Sequence, residues 1–157
     1  MGEDSPFAKH IPEVDMIPKI LVPIDDSPTS QKTIDSIIKS KEHFAKHLTL
    51  LYVINSTQLA YRMIPEFQVD MVKENATRAG RNLLERTDAK LKEAGFTNEL
   101  MLEFGEPRDI ITHTANVQEF QLLVIGRHEG GGEIRDVLFG SVANHVLHNV
   151  RCPVLLF

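Results

Sequence analysis

The chain has 157 residues, enough for one domain that buries a real core without disulfides. Hydrophobic residues make up 42% and charged residues 25%, which excludes a disordered chain. With 22 acidic against 17 basic residues the net charge is −5, which argues against DNA or an anionic membrane as a partner.

Residues 1–17 are polar, carry Pro6 and Pro12 and hold no period, so they read as a leader ahead of one domain over 18–157. They lack the basic-then-apolar order of a signal peptide, and no later run is long and apolar enough to cross a membrane. The cytoplasm is the expected compartment. Cys152 is the only cysteine, which rules out an internal disulfide and reads as a small buried hydrophobe.

Order begins with Lys19 to Ile24, a continuous apolar run of the kind buried on both faces of a parallel sheet. Asp25-Asp26-Ser27-Pro28 ends it with turn and capping residues, and Pro28 suits a first helical position. Ile34, Ile37, Ile38, Phe44 and Leu48 predict a helix reaching about His47. Leu48 to Ile54 predicts the second strand, and Asn55 to Pro65 a longer connection. Val72, Ala76, Ala79, Leu83 and Leu91 predict a long helix stopped at Gly95. Thr97 to Phe104 is more polar and suits a sheet edge, and Gly105-Glu106-Pro107 opens a helix carrying Ile110, Ile111 and Thr114. Leu122 to Ile125 predicts a fourth strand, and a glycine-rich loop follows it. Val142, Ala143, Val146, Leu147 and Val150 stripe the last helix, and Pro153 to Phe157 form the fifth strand.

This alternation calls for an α/β fold, a mainly parallel open sheet with helices on both faces. Ligands of such sheets bind beyond the carboxyl ends of the strands. Two segments fall there: Pro23 to Ser27, and Gly126 to Gly132 leading on to Gly140-Ser141-Val142. Glycine lets backbone approach an anion closely, and Ser141 stands near a helix N-terminus, where free amides favour phosphate. Neither common phosphate fingerprint fits. Gly132-Glu133 stand where a P-loop needs Lys-Ser/Thr, and no G-x-G-x-x-G follows the first strand.

The ensemble resembles the universal stress protein family. The shared elements are Pro23-Ile24-Asp25-Asp26-Ser27, Leu51-Tyr52-Val53-Ile54, Val124-Ile125-Gly126, Leu138-Phe139-Gly140-Ser141-Val142 and Cys152-Pro153-Val154-Leu155, in order from Lys19 to Phe157. The resemblance implies a five-stranded Rossmann-like sheet of the adenine nucleotide alpha hydrolase type, in the order 3-2-1-4-5. It also implies ATP or another adenine nucleotide with Mg or Mn. Asp25 would hold the ribose or a neighbouring polar group, and Pro23, Ile24 and Val53 would flank the adenine. Gly126, Arg127, Gly130, Gly140, Ser141 and Val142 would surround ribose and phosphates. The competing reading of Asp25 is a helix cap, and the two roles are compatible.

One departure stands out. Three residues, not two, separate Gly126 from Gly130, and Glu129 occupies the place of the family's glycine. Glu129, Glu133 and Asp136 would repel a polyphosphate unless a divalent cation mediates, with Arg127 and Arg135 as a partial offset.

Other constellations carry less. His43 with His47, and His145 with His148, have helical ligand spacing but no third ligand nearby, and read as surface histidines. Ser141 lacks the G-x-S-x-G elbow of a nucleophile. Met63, Ile64 and Phe67 suggest a lid or partner surface, with plain packing as the default. No general base is assembled in sequence, so a regulatory nucleotide-loaded protein is expected rather than a dedicated enzyme, with at most slow ATP hydrolysis. The alternative is a nucleotide-free interaction protein of the same fold. An apolar terminal strand predicts a homodimer, and the protein partner is left open.

Overall fold

The computed structural model describes residues 17–57, 65–127 and 140–157. The strands are β1 (Ile20–Pro23), β2 (His47–Asn55), β3 (Thr97–Gly105), β4 (Leu122–Ile125) and β5 (Val154–Leu156). The helices are α1 (Pro28–Lys39), α2 (Glu66–Glu93), α3 (Pro107–Val117) and α4 (Ser141–Asn149), with a short 3-10 turn at Lys41–His43. All the pairings are parallel and the order is β3-β2-β1-β4-β5, as the resemblance implies.

Strand side chains alternate between two layers. Ile20, Val22, Leu48, Leu50 and Val124 face α1 and α2, where Ile34, Ile37, Leu84 and Leu91 meet them. Leu21, Leu51, Leu123 and Ile125 face α3 and α4, against Ile111, Ala115, Ala143 and Val146. Leu21, Leu50, Leu51 and Leu123 are wholly buried, and each contributes roughly 2 kcal/mol of transfer free energy.

The first helix stops earlier than its apolar spacing predicts. Its last residue is Lys39; the Ser40 amide then bonds back to Ser36, and Phe44 is already extended. Phe44 is a packing residue outside the helix, with its ring 6.1 Å from that of Phe157. The stripe of α2 keeps the expected Leu91 in the core and Leu83 against it, but its centre is shifted. Gly80, Leu84 and Leu91 are its buried residues, whereas Ala79 is exposed. Gly80 marks the closest approach to the sheet. A methyl group there would sit 2.7 Å from Tyr52 Cδ1 and 2.9 Å from Leu102 Cδ1. A mid-helix glycine costs about 1 kcal/mol against alanine, and the close packing on Tyr52 offsets it. Gly95, at φ +97°, ends α2 in the left-handed conformation, and the Phe96 amide reaches back to the Leu91 carbonyl.

Because strands are parallel, each crossover helix runs back and starts at the carboxyl edge of the sheet. The topological switch lies between β1 and β4, since the chain builds outward on opposite sides of them. Of the leader, only Ile17 is described, and it is exposed.

Candidate functional site at the carboxyl edge

The site begins where β1 ends. The Ile24 amide still donates to the Leu51 carbonyl at 2.8 Å, and its side chain is buried. Pairing sets Pro23 against Leu51 and Leu21 against Leu123. The same registers, continued, align Asp25 with Val53 on one side and Arg127 on the other, and Ile24 with Gly126. Ile24 and Asp25, Val53, and Gly126 and Arg127 thus lie at the carboxyl ends of three neighbouring strands.

Asp25 is exposed, and its carboxylate organises the turn rather than capping α1. Asp25 Oδ1 accepts from the Ser27 amide at 2.9 Å, and the Asp25 amide donates to Ser30 Oγ at 3.1 Å. The cap is Ser27, whose Oγ accepts from the Ser30 amide at 3.1 Å. Tyr52 stands behind this turn. Burial, and then the Asp25 and Asp26 carboxylates, push its phenol above the ordinary range. A shallow crevice of about 170 Å³ starts at Asp25 and Asp26 and runs between α1 and α2 past Ser30, Arg86 and Lys90.

Across the switch point, Gly126 packs against α1. A Cβ on it would overlap Thr33 Oγ1, lie 2.6 Å from Thr29 Cγ2 and come within 3.1 Å of the Thr29 carbonyl oxygen. Its smallness serves a joint between strand and helix. Arg127 is exposed, and its amide donates to the Phe157 carbonyl at 2.9 Å. Gly140 differs from Gly126. Its φ of −62° suits any residue, and no described atom lies within 4 Å of where a Cβ would be. Ser141 is exposed and opens α4, while Val142 is half-buried against the α3 layer. Gly130, with Glu129, lies outside the described residues.

The N-termini of α1, α2, α3 and α4 are not equivalent. α1 is capped by Ser27, α2 carries Glu66 in its first turn and α3 carries Asp109. α4 has neither a side-chain cap nor an acidic residue in its first turn. Among the described residues, the amides of Ser141, Val142 and Ala143 have no acceptor, so no described side chain offsets the positive end of that helix dipole.

Among the described residues the histidine pairs gain no third ligand. His43 lies in the 3-10 turn and His47 opens β2, with Nδ1 3.2 Å from Thr97 Oγ1, so they share no helix. His145 Nε2 is 3.4 Å from Asp109 Oδ1. No group of three metal-ligating side chains occurs among the described residues. Cys152 is half-buried, and burial raises its thiol pKa. Thr29, Thr33, Ser30 and Tyr52 were not singled out in sequence. The Thr29/Thr33 pair has a readable signal, two small residues four apart in the opening turns of a helix.

The universal stress protein family model matches residues 16–157. The chain belongs to the universal stress protein family. Its relatives include YxiE of Bacillus subtilis, 28% identical over 147 residues that cover 90% of this chain and 99% of that protein. MJ0577 of Methanocaldococcus jannaschii is 25% identical over 155 residues, covering 90% of this chain and 94% of its own. Its solved structure superposes with a TM-score of 0.73 at 26% identity, over 90% of this chain and 95% of that one. A family member from Arabidopsis thaliana, solved with AMP bound, shares the fold at a TM-score of 0.63 and 18% identity, over 89% of this chain and 90% of that one.

Proposed function

We propose that this universal stress protein binds an adenine nucleotide, ATP with Mg²⁺ or Mn²⁺, and acts as a nucleotide-loaded stress-response regulator in the cytoplasm. The observation that carries the reading is the uncapped N-terminus of α4 beside the switch point, with the Asp25 turn on the other side. Asp25, Ile24, Pro23 and Val53 would hold the adenosine. The amides of Ser141 and Val142, with open space at Gly140, would take the phosphates, and Gly126, Arg127 and Gly130 would line the way between them. Asp25 uses Oδ1 for its own turn, which leaves Oδ2 for a ribose hydroxyl or a cation-bound water. Adenine nucleotide is the class carried by the AMP-bound relative. Hydrolysis is proposed to be slow, because the residues singled out include no general base or water-positioning group for the attacking water.

Mass spectrometry of the purified, denatured protein tests this directly, and near one adenine nucleotide per chain is expected. Calorimetry with ATP and either cation should give a Kd near about 1 μM, or roughly −8 kcal/mol. No binding at millimolar nucleotide would leave the alternative, a nucleotide-free interaction protein of this fold.

The same reading includes a homodimer paired through β5. Val154, Leu155 and Leu156 are only half-buried, and β5 ends the sheet with no strand beyond it among the described residues. Leu156→Lys should shift the sedimenting mass from dimer to monomer. A wild-type chain that is monomeric at tens of micromolar overturns the pairing.

A further inference from the structure

Among the described residues the sheet has a second edge with no neighbouring strand, three times longer than β5. β3 spans nine residues, each in register with β2 from His47↔Thr97 to Asn55↔Gly105, and has no strand on its outer side among the described residues. About half of its peptide groups therefore point outward without a strand partner.

Side chains on the two faces of β3 differ in chemistry. Asn98 Nδ2 donates to Asp88 Oδ1 of α2 at 2.8 Å, and Leu102 lies under Gly80. Asn98, Leu100, Leu102 and Phe104 thus face α2. Leu100 and Phe104 remain 39% and 43% exposed, because they reach past the cover that α2 provides. On the opposite face, exposed Glu99 and Glu103 flank half-buried Met101, and β3 carries no basic residue.

We propose that the outer edge of β3 is a docking site for an extended segment of a partner protein, one that alternates basic and apolar residues and adds to the sheet as a sixth strand. Directly opposed residues of paired strands share a face. Basic residues four apart in the partner would oppose Glu99 and Glu103, while its apolar residues would cover Leu100, Leu102 and Phe104. A second copy of this chain is disfavoured in the register centred on the strand. Antiparallel self-pairing about Met101 would set Glu99 against Glu103 of the mate twice over, and like charges directly opposite are unfavourable. The acidic face thus favours a basic strand over self-pairing about Met101. This edge lies at the far side of the sheet from β4 and β5, so the proposal stands independently of the nucleotide reading.

The test is amide chemical-shift mapping on the full chain with two acetylated and amidated peptides, VKITVKI and VEITVEI. In antiparallel register the two lysines of the first fall opposite Glu103 and Glu99. VKITVKI should shift amides of residues 97–105, and VEITVEI should bind about tenfold more weakly, the sum of two reversed charge pairs. A Glu99→Lys/Glu103→Lys double variant should invert that preference. Equal binding of both peptides overturns the proposal, as do shifts centred on β5 or on another surface. Unmoved β3 amides overturn it too, because the edge is then closed or already taken. Concentration-dependent β3 shifts without peptide would assign the edge to a second copy instead. The two peptides on the wild-type chain suffice if the double variant does not fold.

Discussion

The N-termini of α1 and α4 stand on either side of the same switch point and are built in opposite ways. α1 is closed. Ser27 caps it, Asp25 pins the preceding turn, and Gly126 of the neighbouring strand lets Thr29 and Thr33 press in from the side. α4 differs: Gly140 stands at the cap position, and among the described residues no side chain accepts from its first amides and no carboxylate lies in its first turn. A helix end that satisfies its own amides is a structural joint, whereas one that leaves them to solvent is available to an anion. The two glycines carry the same contrast. One is small because a helix occupies its side-chain space; beside the other, no described atom comes within 4 Å of where a side chain would begin.

The largest expected effect sharpens the difference between those glycines. Gly126→Val should destabilise the fold by about 3 kcal/mol, because the new side chain meets Thr29 and Thr33 on a packed helix. Denaturant unfolding would measure it, and a loss under about 1 kcal/mol would mean that α1 yields easily. Gly140→Val should leave stability within about 0.5 kcal/mol yet weaken ATP binding about a hundredfold, by blocking the backbone's approach to phosphate. Calorimetry on a variant shown to melt like wild type checks it. Unchanged affinity would remove α4 from the site.

Ser27→Ala attacks the closed end and should cost about 1 kcal/mol through the lost cap. Nucleotide affinity should barely move if Ser27 is only structural, so an equal loss of both would break the comparison. The smallest effect lies away from the site. Burial alone would raise the pKa of Asp88, but hydrogen bonds from Lys92 and Asn98 outweigh it and hold the carboxyl below its ordinary range. A carboxyl whose folded pKa is depressed stabilises the fold above its unfolded pKa, about 4, and loses that contribution as pH falls through the folded value. Melting profiles below about pH 4 should therefore be flatter for Asp88→Asn than for wild type. Parallel profiles would show that the Lys92–Asp88–Asn98 cluster contributes nothing.

The continuous apolar runs at Ile20, Leu50 and Val124 were enough to read strands buried on both faces, and their alternation with helices was enough to read a parallel sheet. The motifs around Asp25 and Gly140 marked the carboxyl edge, because turn and glycine chemistry is local and shows in adjacent residues. Ser27-Pro28 and Gly95 likewise located a helix start and stop. What hydrophobic spacing misread was the end of α1. Phe44 and Leu48 continue the period, but they belong to a loop and a strand that contribute apolar side chains to the same core.

Only the tertiary structure separated Gly126 from Gly140. In sequence both are glycines in one phosphate-type motif; in space one abuts Thr29 and Thr33, nearly a hundred positions earlier in the chain. It also assigned the cap to Ser27 and the turn to Asp25, and it revealed that Gly80 is where α2 rests on Tyr52. The division has a physical cause. Backbone conformation and the period of burial are fixed by neighbours along the chain, so they can be read from sequence. Which side chain fills the space beside a given Cα depends on elements brought together by folding, and no local pattern records it.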